Sequence, residues 1–157
     1  MNTPDNKDQS ASQLSGELHQ IAQLMAYDFD SSIYRKEGLS WASYRVLFAL
    51  WTSGDLSPLQ LADATGMKKS AVSNLIKPLM QRELIGHTVA AGDRRSKILS
   101  LSDSGRELVQ SLTLEQNAVD AQWFGELTTI EQDLLSSLFQ KLLASPRASQ
   151  VRASRAN

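Results

Sequence analysis

The sequence has no cysteine in its 157 residues. That excludes disulfides, zinc fingers and thiol-based redox sensing, because each needs a sulfur ligand or nucleophile. There are only two histidines, His19 and His87, far apart and with no ligand spacing around them, so no metal site is expected. No apolar run reaches the roughly 18 residues needed to cross a bilayer. Met1–Ser10 is polar and lacks the hydrophobic segment of a secretory leader, so the chain is expected to be cytoplasmic, without membrane association. Also missing are a carboxylate pair with histidine, a Ser-His-Asp set and a phosphate-binding loop. An enzyme is therefore disfavoured, and no cofactor is expected.

The 16 basic and 17 acidic residues nearly cancel, for a formal net charge of −1, but their distribution is uneven. Gly66–Arg106 holds eight basic residues (Lys68, Lys69, Lys77, Arg82, Arg94, Arg95, Lys97, Arg106) against Glu83, Asp93 and Asp103, a net +5 that leaves −6 for the remainder. A local basic footprint on an acidic body is what contact with phosphates requires.

The helix expected over Lys68–Glu83 occupies the centre of that footprint. At about 100° per residue, Val72, Leu75, Ile76 and Leu79 share one narrow stripe, and Ser70, Ser73, Asn74, Lys77 and Gln81 lie opposite. Hydroxyls, amides and ammoniums on an exposed helix face suit base edges and phosphates in a major groove. Pro78 removes the bond to the Asn74 carbonyl and is expected to kink this helix. Ser57-Pro58-Leu59-Gln60 opens a short helix before it, and Gly66 closes that helix, so the two form a helix-turn-helix in which Leu59, Leu61, Ala62 and Met67 pack one against the other. After it, Ile85–Val89 and Lys97–Leu101 alternate as strands around a loop at Ala90–Ser96 hinged on Gly92. Arg94 and Arg95 at a hairpin tip suit a narrow minor groove, and Asp93 can brace one guanidinium.

The flanks read as helices. Ser10-Ala11-Ser12-Gln13 has capping-box form and opens a helix to about Lys36 with a seam at Leu14, Leu18, Ile21 and Met25. Trp41, Tyr44, Leu47, Phe48 and Trp51 form a bulky stripe, expected in the core, on a helix capped by Ser40 and ended by Gly54. Ser102 caps a helix over Asp103–Trp123, and Thr128-Thr129-Ile130-Glu131 opens another to Ala144 whose apolar face is too wide for one contact. The expected boundaries are a disordered tail at 1–9, an N-terminal helix at 10–37, the helix-turn-helix and its wing at 38–105, C-terminal helices at 106–145 and a disordered tail at 146–157.

Asp93-Arg94-Arg95-Ser96, the strand Lys97–Leu101 and Leu101-Ser102-Asp103-Ser104-Gly105 together resemble the signature of the MarR family of bacterial transcription regulators. Trp41–Trp51, Leu59-Gln60-Leu61-Ala62 and Ala71–Leu75 resemble its second to fourth helices, so the likeness spans about residues 12–144. Two residues depart from it: Glu83 stands where many members end the recognition helix with glycine, and Pro78 lies inside that helix. The resemblance implies a mostly α fold with a β wing, a winged helix-turn-helix whose N- and C-terminal helices interleave in a homodimer. It implies Ser70, Ser73, Asn74 and Lys77 on bases or phosphates, Arg95 in the minor groove oriented by Asp93, and Lys68, Lys69, Arg94 and Lys97 on the backbone of a pseudo-palindromic duplex. A repressor relieved by a small aromatic or phenolic effector follows from the same likeness, with Tyr27, Tyr34, Trp41, Tyr44 and Arg45 as candidate pocket residues. The alternative is a dimeric winged-helix module that binds protein rather than DNA.

Overall fold

The computed structural model describes residues 6–89 and 97–156. The chain falls into two compact units, Met1–Trp41 and Ala42–Asn157. The first is built on α1 (Asn6–Ser32), followed by a short 3-10 turn, Tyr34–Glu37. Helix α1 begins upstream of the Ser10 capping box, so residues 6–9 are helical rather than part of a disordered tail, and Gln13 instead donates to Glu17 one turn on, at 2.7 Å. It also stops short of Lys36. The hydroxyls of Ser31 and Ser32 both turn back to the Asp28 carbonyl (3.2 and 2.6 Å), offering the backbone an alternative to the next helical bond. Gly38, at φ 62°, closes the 3-10 turn in the left-handed region. Phe29, Tyr34 and Trp41 stack their rings at centroid distances of 5.2 and 5.7 Å, and the Trp41 amide donates to the Asp30 carboxylate.

The second unit carries most of α2 (Trp41–Ser53), then α3 (Pro58–Thr65), α4 (Lys69–Gln81), β1 (Ile85–Val89), β2 (Lys97–Leu101), α5 (Asp103–Phe124), α6 (Thr129–Leu143) and α7 (Pro146–Ala156). Its core is aliphatic: Val46, Leu47, Leu61, Val72, Leu79, Leu99, Val109 and Leu112 are all essentially inaccessible. The aromatic stripe of α2 is only half core, since Tyr44 and Leu47 are buried while Phe48 and Trp51 remain partly exposed and stack on one another at 5.8 Å. Both capping boxes form, Ser57 with Gln60 and Thr128 with Glu131. Residues 146–156, expected to be disordered, are helical instead. Ser145 caps α7 by accepting from the Ala148 amide (3.2 Å), Pro146 takes the first helical position, and Arg152 reaches back to the Leu143 carbonyl.

The exit of α4 is built by Glu83. Glu83 adopts φ 56°, a left-handed conformation that costs a non-glycine residue about 1–2 kcal/mol. It does so to complete a Schellman motif: the Glu83 amide donates to the Met80 carbonyl (2.9 Å) and the Leu84 amide to the Leu79 carbonyl (3.1 Å). Leu79 and Leu84, both buried, supply the accompanying apolar contact positions. Helix α4 continues through Pro78 to Gln81, at the roughly 3 kcal/mol that an interior proline costs.

Candidate nucleic-acid interface

The sheet that carries the wing is antiparallel, with Ile85 opposite Leu101, His87 opposite Leu99 and Val89 opposite Lys97. Leu56, just before α3, adds a third pairing by exchanging both backbone bonds with Leu99 (3.0 and 2.8 Å). The strands therefore share a hydrogen-bonded base with the helix-turn-helix. On their other side, Ser102 caps α5 by accepting from the Gly105 amide (3.0 Å), and its hydroxyl donates to the Glu83 carbonyl (2.6 Å). Ser104 donates to the same carbonyl at 3.1 Å. Gly105 is required by close approach: a Cβ there would lie 2.0 Å from the Leu84 carbonyl oxygen. The Leu-Ser-x-x-Gly element thus pins the start of α5 to the exit of α4.

Helix α4 is held by one face only. Val72 and Leu79 are buried, whereas Ser70, Ser73, Asn74 and Lys77 are exposed, as are Lys68 and Lys69 at its start. Ser73 donates its hydroxyl proton to the Lys69 carbonyl (2.9 Å), which leaves its oxygen as an acceptor. Lys68 occupies the N-cap position without a side-chain cap bond. Two ammoniums at the positive end of a helix dipole are unfavourable by themselves and become favourable once an anion sits between them and the helix amides. Lys97 is placed by its backbone at the far end of β2. Asp93, Arg94 and Arg95 lie outside the described residues.

The five candidate effector residues divide between the two units. Tyr27 is well exposed and Tyr34 completely buried, with Trp41 half-buried beside it. In the second unit the Tyr44 hydroxyl pairs with Thr113 at 2.9 Å. Burial pushes that phenol above its ordinary range, the Thr113 bond opposes this, and the Asp120 carboxylate adds to the rise. Arg45 donates to the carbonyl of Thr65, the last residue of α3, so its guanidinium caps that helix at the negative end of its dipole. The Thr65 hydroxyl in turn bonds the Leu61 carbonyl at 2.6 Å. The residues that the sequence reading missed are Leu56, Arg45 as a cap, and Ser104. Only Ser104 carried a local signal, two residues after a cap.

Among the described residues no group of three or more His, Asp or Glu could hold a metal ion. No described helix is long and apolar enough to cross a membrane.

A helix-turn-helix with an exposed polar second helix, followed directly by a two-stranded wing, defines the winged helix-turn-helix class of regulator. Comparison with known proteins narrows this. The sequence profile described as "MarR family" matches residues 37–96. An uncharacterised HTH-type transcriptional regulator of Bacillus subtilis, YwaE, is 26% identical over 125 residues, covering 80% of this chain and 73% of that protein. The HTH-type transcriptional repressor MdtR of the same organism is 31% identical over 102 residues, 65% of this chain and 64% of its own length. Among solved structures, Bordetella bronchiseptica BpsR, whose DNA binding is regulated by 6-hydroxynicotinic acid, superposes with a TM-score of 0.76 at 26% identity, covering 83% of this chain and 98% of its own. The chain belongs to the MarR family; it is a DNA-binding transcriptional regulator and not an enzyme.

Proposed function

We propose that the protein is a homodimeric repressor that reads a pseudo-palindromic duplex with α4 and is released from it by a small aromatic ligand. The observation that carries the reading is the one-sided burial of α4, which leaves Ser70, Ser73, Asn74 and Lys77 facing outward behind a pair of lysines. Asn can pair bidentately with adenine, serine can bond either groove edge, and the lysines supply sequence-independent phosphate contacts. Arg94 and Arg95, with Asp93 as brace, would serve the adjacent minor groove.

The dimer is supported by surface that one chain leaves open. Helix α6 has no buried residue, although Ile130, Leu134, Leu138, Leu142 and Leu143 lie along it. Phe124, Leu135, Phe139 and Leu143 border an apolar cleft of about 450 Å³. Helix α1 carries a further exposed row at Leu14, Leu18, Ile21 and Leu24. Apolar faces of this extent mark association surfaces, and a second copy related by two-fold symmetry is the occupant that also gives two reading helices about one DNA turn apart. Repression and ligand release are supported by the descriptions of MdtR and BpsR respectively. A ligand acts here only through different affinity for the bound and released states.

The test is selection from random duplexes at about physiological salt. A two-fold-symmetric motif is expected, with Lys77→Ala weakening all sequences and Asn74→Ala also relaxing preference at one position in each half-site, by about 1–3 kcal/mol. If both variants keep the wild-type profile and affinity, the groove assignment is wrong.

A further inference from the structure

We infer that Pro78 is a specificity-determining residue of the reading face, its ring meeting the 5-methyl group of a thymine in the major groove. The inference rests on the assignment of α4 as the recognition helix.

Pro78 lies in the interior of α4, the helix runs on through it, and its ring is exposed. Proline at such a position gives up the amide that would bond the Asn74 carbonyl and crowds the preceding turn, a heavier penalty than any other residue imposes there. Packing does not recover that loss, because α4 supplies the core with Val72 and Leu79. Nor does Pro78 end the helix: the Arg82 amide still bonds its carbonyl at 3.1 Å, and termination falls to Glu83. A sequence that breaks a local rule without a gain in the fold does so at functional sites.

Its position supplies the function. Pro78 follows Asn74 by four residues and so stands about 40° around the helix from it, at the edge of the reading face, just beyond the arc that Ser70, Gln81 and Asn74 span. Beside that row of hydroxyls and amides it is, with the exposed Ala71 about 20° further round, an apolar member with neither a side-chain donor nor an acceptor. The thymine methyl is the apolar group that base edges present in the major groove, and contact with it distinguishes thymine from cytosine without a hydrogen bond.

The experiment compares the wild type with Pro78→Ala on the selected duplex and on the same duplex carrying deoxyuridine in place of individual thymines. The wild type is expected to lose roughly fourfold in affinity per half-site at one thymine position, the worth of one buried methyl group. Pro78→Ala is expected to show that loss already and to be indifferent to deoxyuridine there. Its salt slope should be unchanged because no charge is removed, and its Tm should rise by about 6–12 °C as the helix regains a bond. A raised Tm with an unaltered sequence profile would make Pro78 a tolerated helix defect and overturn the inference. So would a lowered Tm, which would make it a structural element. A wild type that enriches no motif would overturn the recognition-helix reading and this inference with it; an enriched motif that Pro78→Ala reads unchanged would overturn this inference alone.

Discussion

Glu83→Gly should stabilise the protein, although it deletes a side chain from the exit of the recognition helix. Glu83 holds φ 56°, and relief of the left-handed penalty of about 1–2 kcal/mol is offset in part by the extra freedom glycine has when unfolded, about 0.4–1 kcal/mol. The net gain is about 0.5–1 kcal/mol. Removing a carboxylate from the negative end of a helix dipole adds a few tenths more, so Glu83→Ala is the necessary control: it removes the charge and keeps the strain. The bonds from Ser102 and Ser104 reach the Glu83 carbonyl, not its side chain, and persist in both variants. Denaturant titration at one fixed protein concentration should rank glycine above alanine by about 0.5–1 kcal/mol, equivalent to about 1–4 °C in Tm for a chain of this size. Alanine equal to or above glycine would show that the motif is not paying a conformational cost at Glu83, and the account of this turn would be wrong.

Gly105→Ala should act in the opposite sense. Its Cβ would sit 2.0 Å from a backbone oxygen that has no rotamer to escape into, so a loss of about 2–3 kcal/mol is expected, read as a fall in Tm, with weaker DNA binding as the wing root shifts. The α6 capping box gives a pH prediction. Glu131 accepts from the Thr128 amide and hydroxyl (2.8 Å each), and these bonds hold its carboxyl below the ordinary value of 4.5. A depressed folded-state value contributes stability above the ordinary value that is lost as pH falls through the folded one. Glu131→Gln should therefore be less stable than the wild type at neutral pH, with the difference shrinking on acidification; a difference constant down to pH 3 would refute the assignment.

The sequence was most readable where the cause is local. The Ser57, Ser102 and Thr128 caps, Pro58 at a first helical position and the two-faced period of α4 each depend on residues within a few positions of one another. The pairing of Leu56 with Leu99 and the bond from Arg45 to Thr65 join segments distant in sequence, and no periodicity announces them. Helix α7 was missed for a different reason. Its three arginines and sparse apolar residues suggested a solvated tail, although Ser145-Pro146 was a legible start signal. Leu59, expected between α3 and α4, is instead half exposed, because the buried face of α3 runs through Leu61, Ala62 and Thr65. Of the proposed interface, the α4 face was visible as a period. The candidate effector residues share only an aromatic or cationic character, which does not determine a location.

The tie between Ser102, Ser104 and Glu83 gives α5 the character of a lever. Its 22 residues make a rod of about 33 Å. One end is fastened at the exit of the reading helix, to the Glu83 carbonyl through Ser102 and Ser104 and to the Leu84 carbonyl through the Ser102 amide, one residue before β1. A tilt of only about 10° about the other end would carry that fastening roughly 6 Å, nearly two base-pair steps at about 3.4 Å each. A small angular displacement of α5 is thus large on the scale by which DNA is measured.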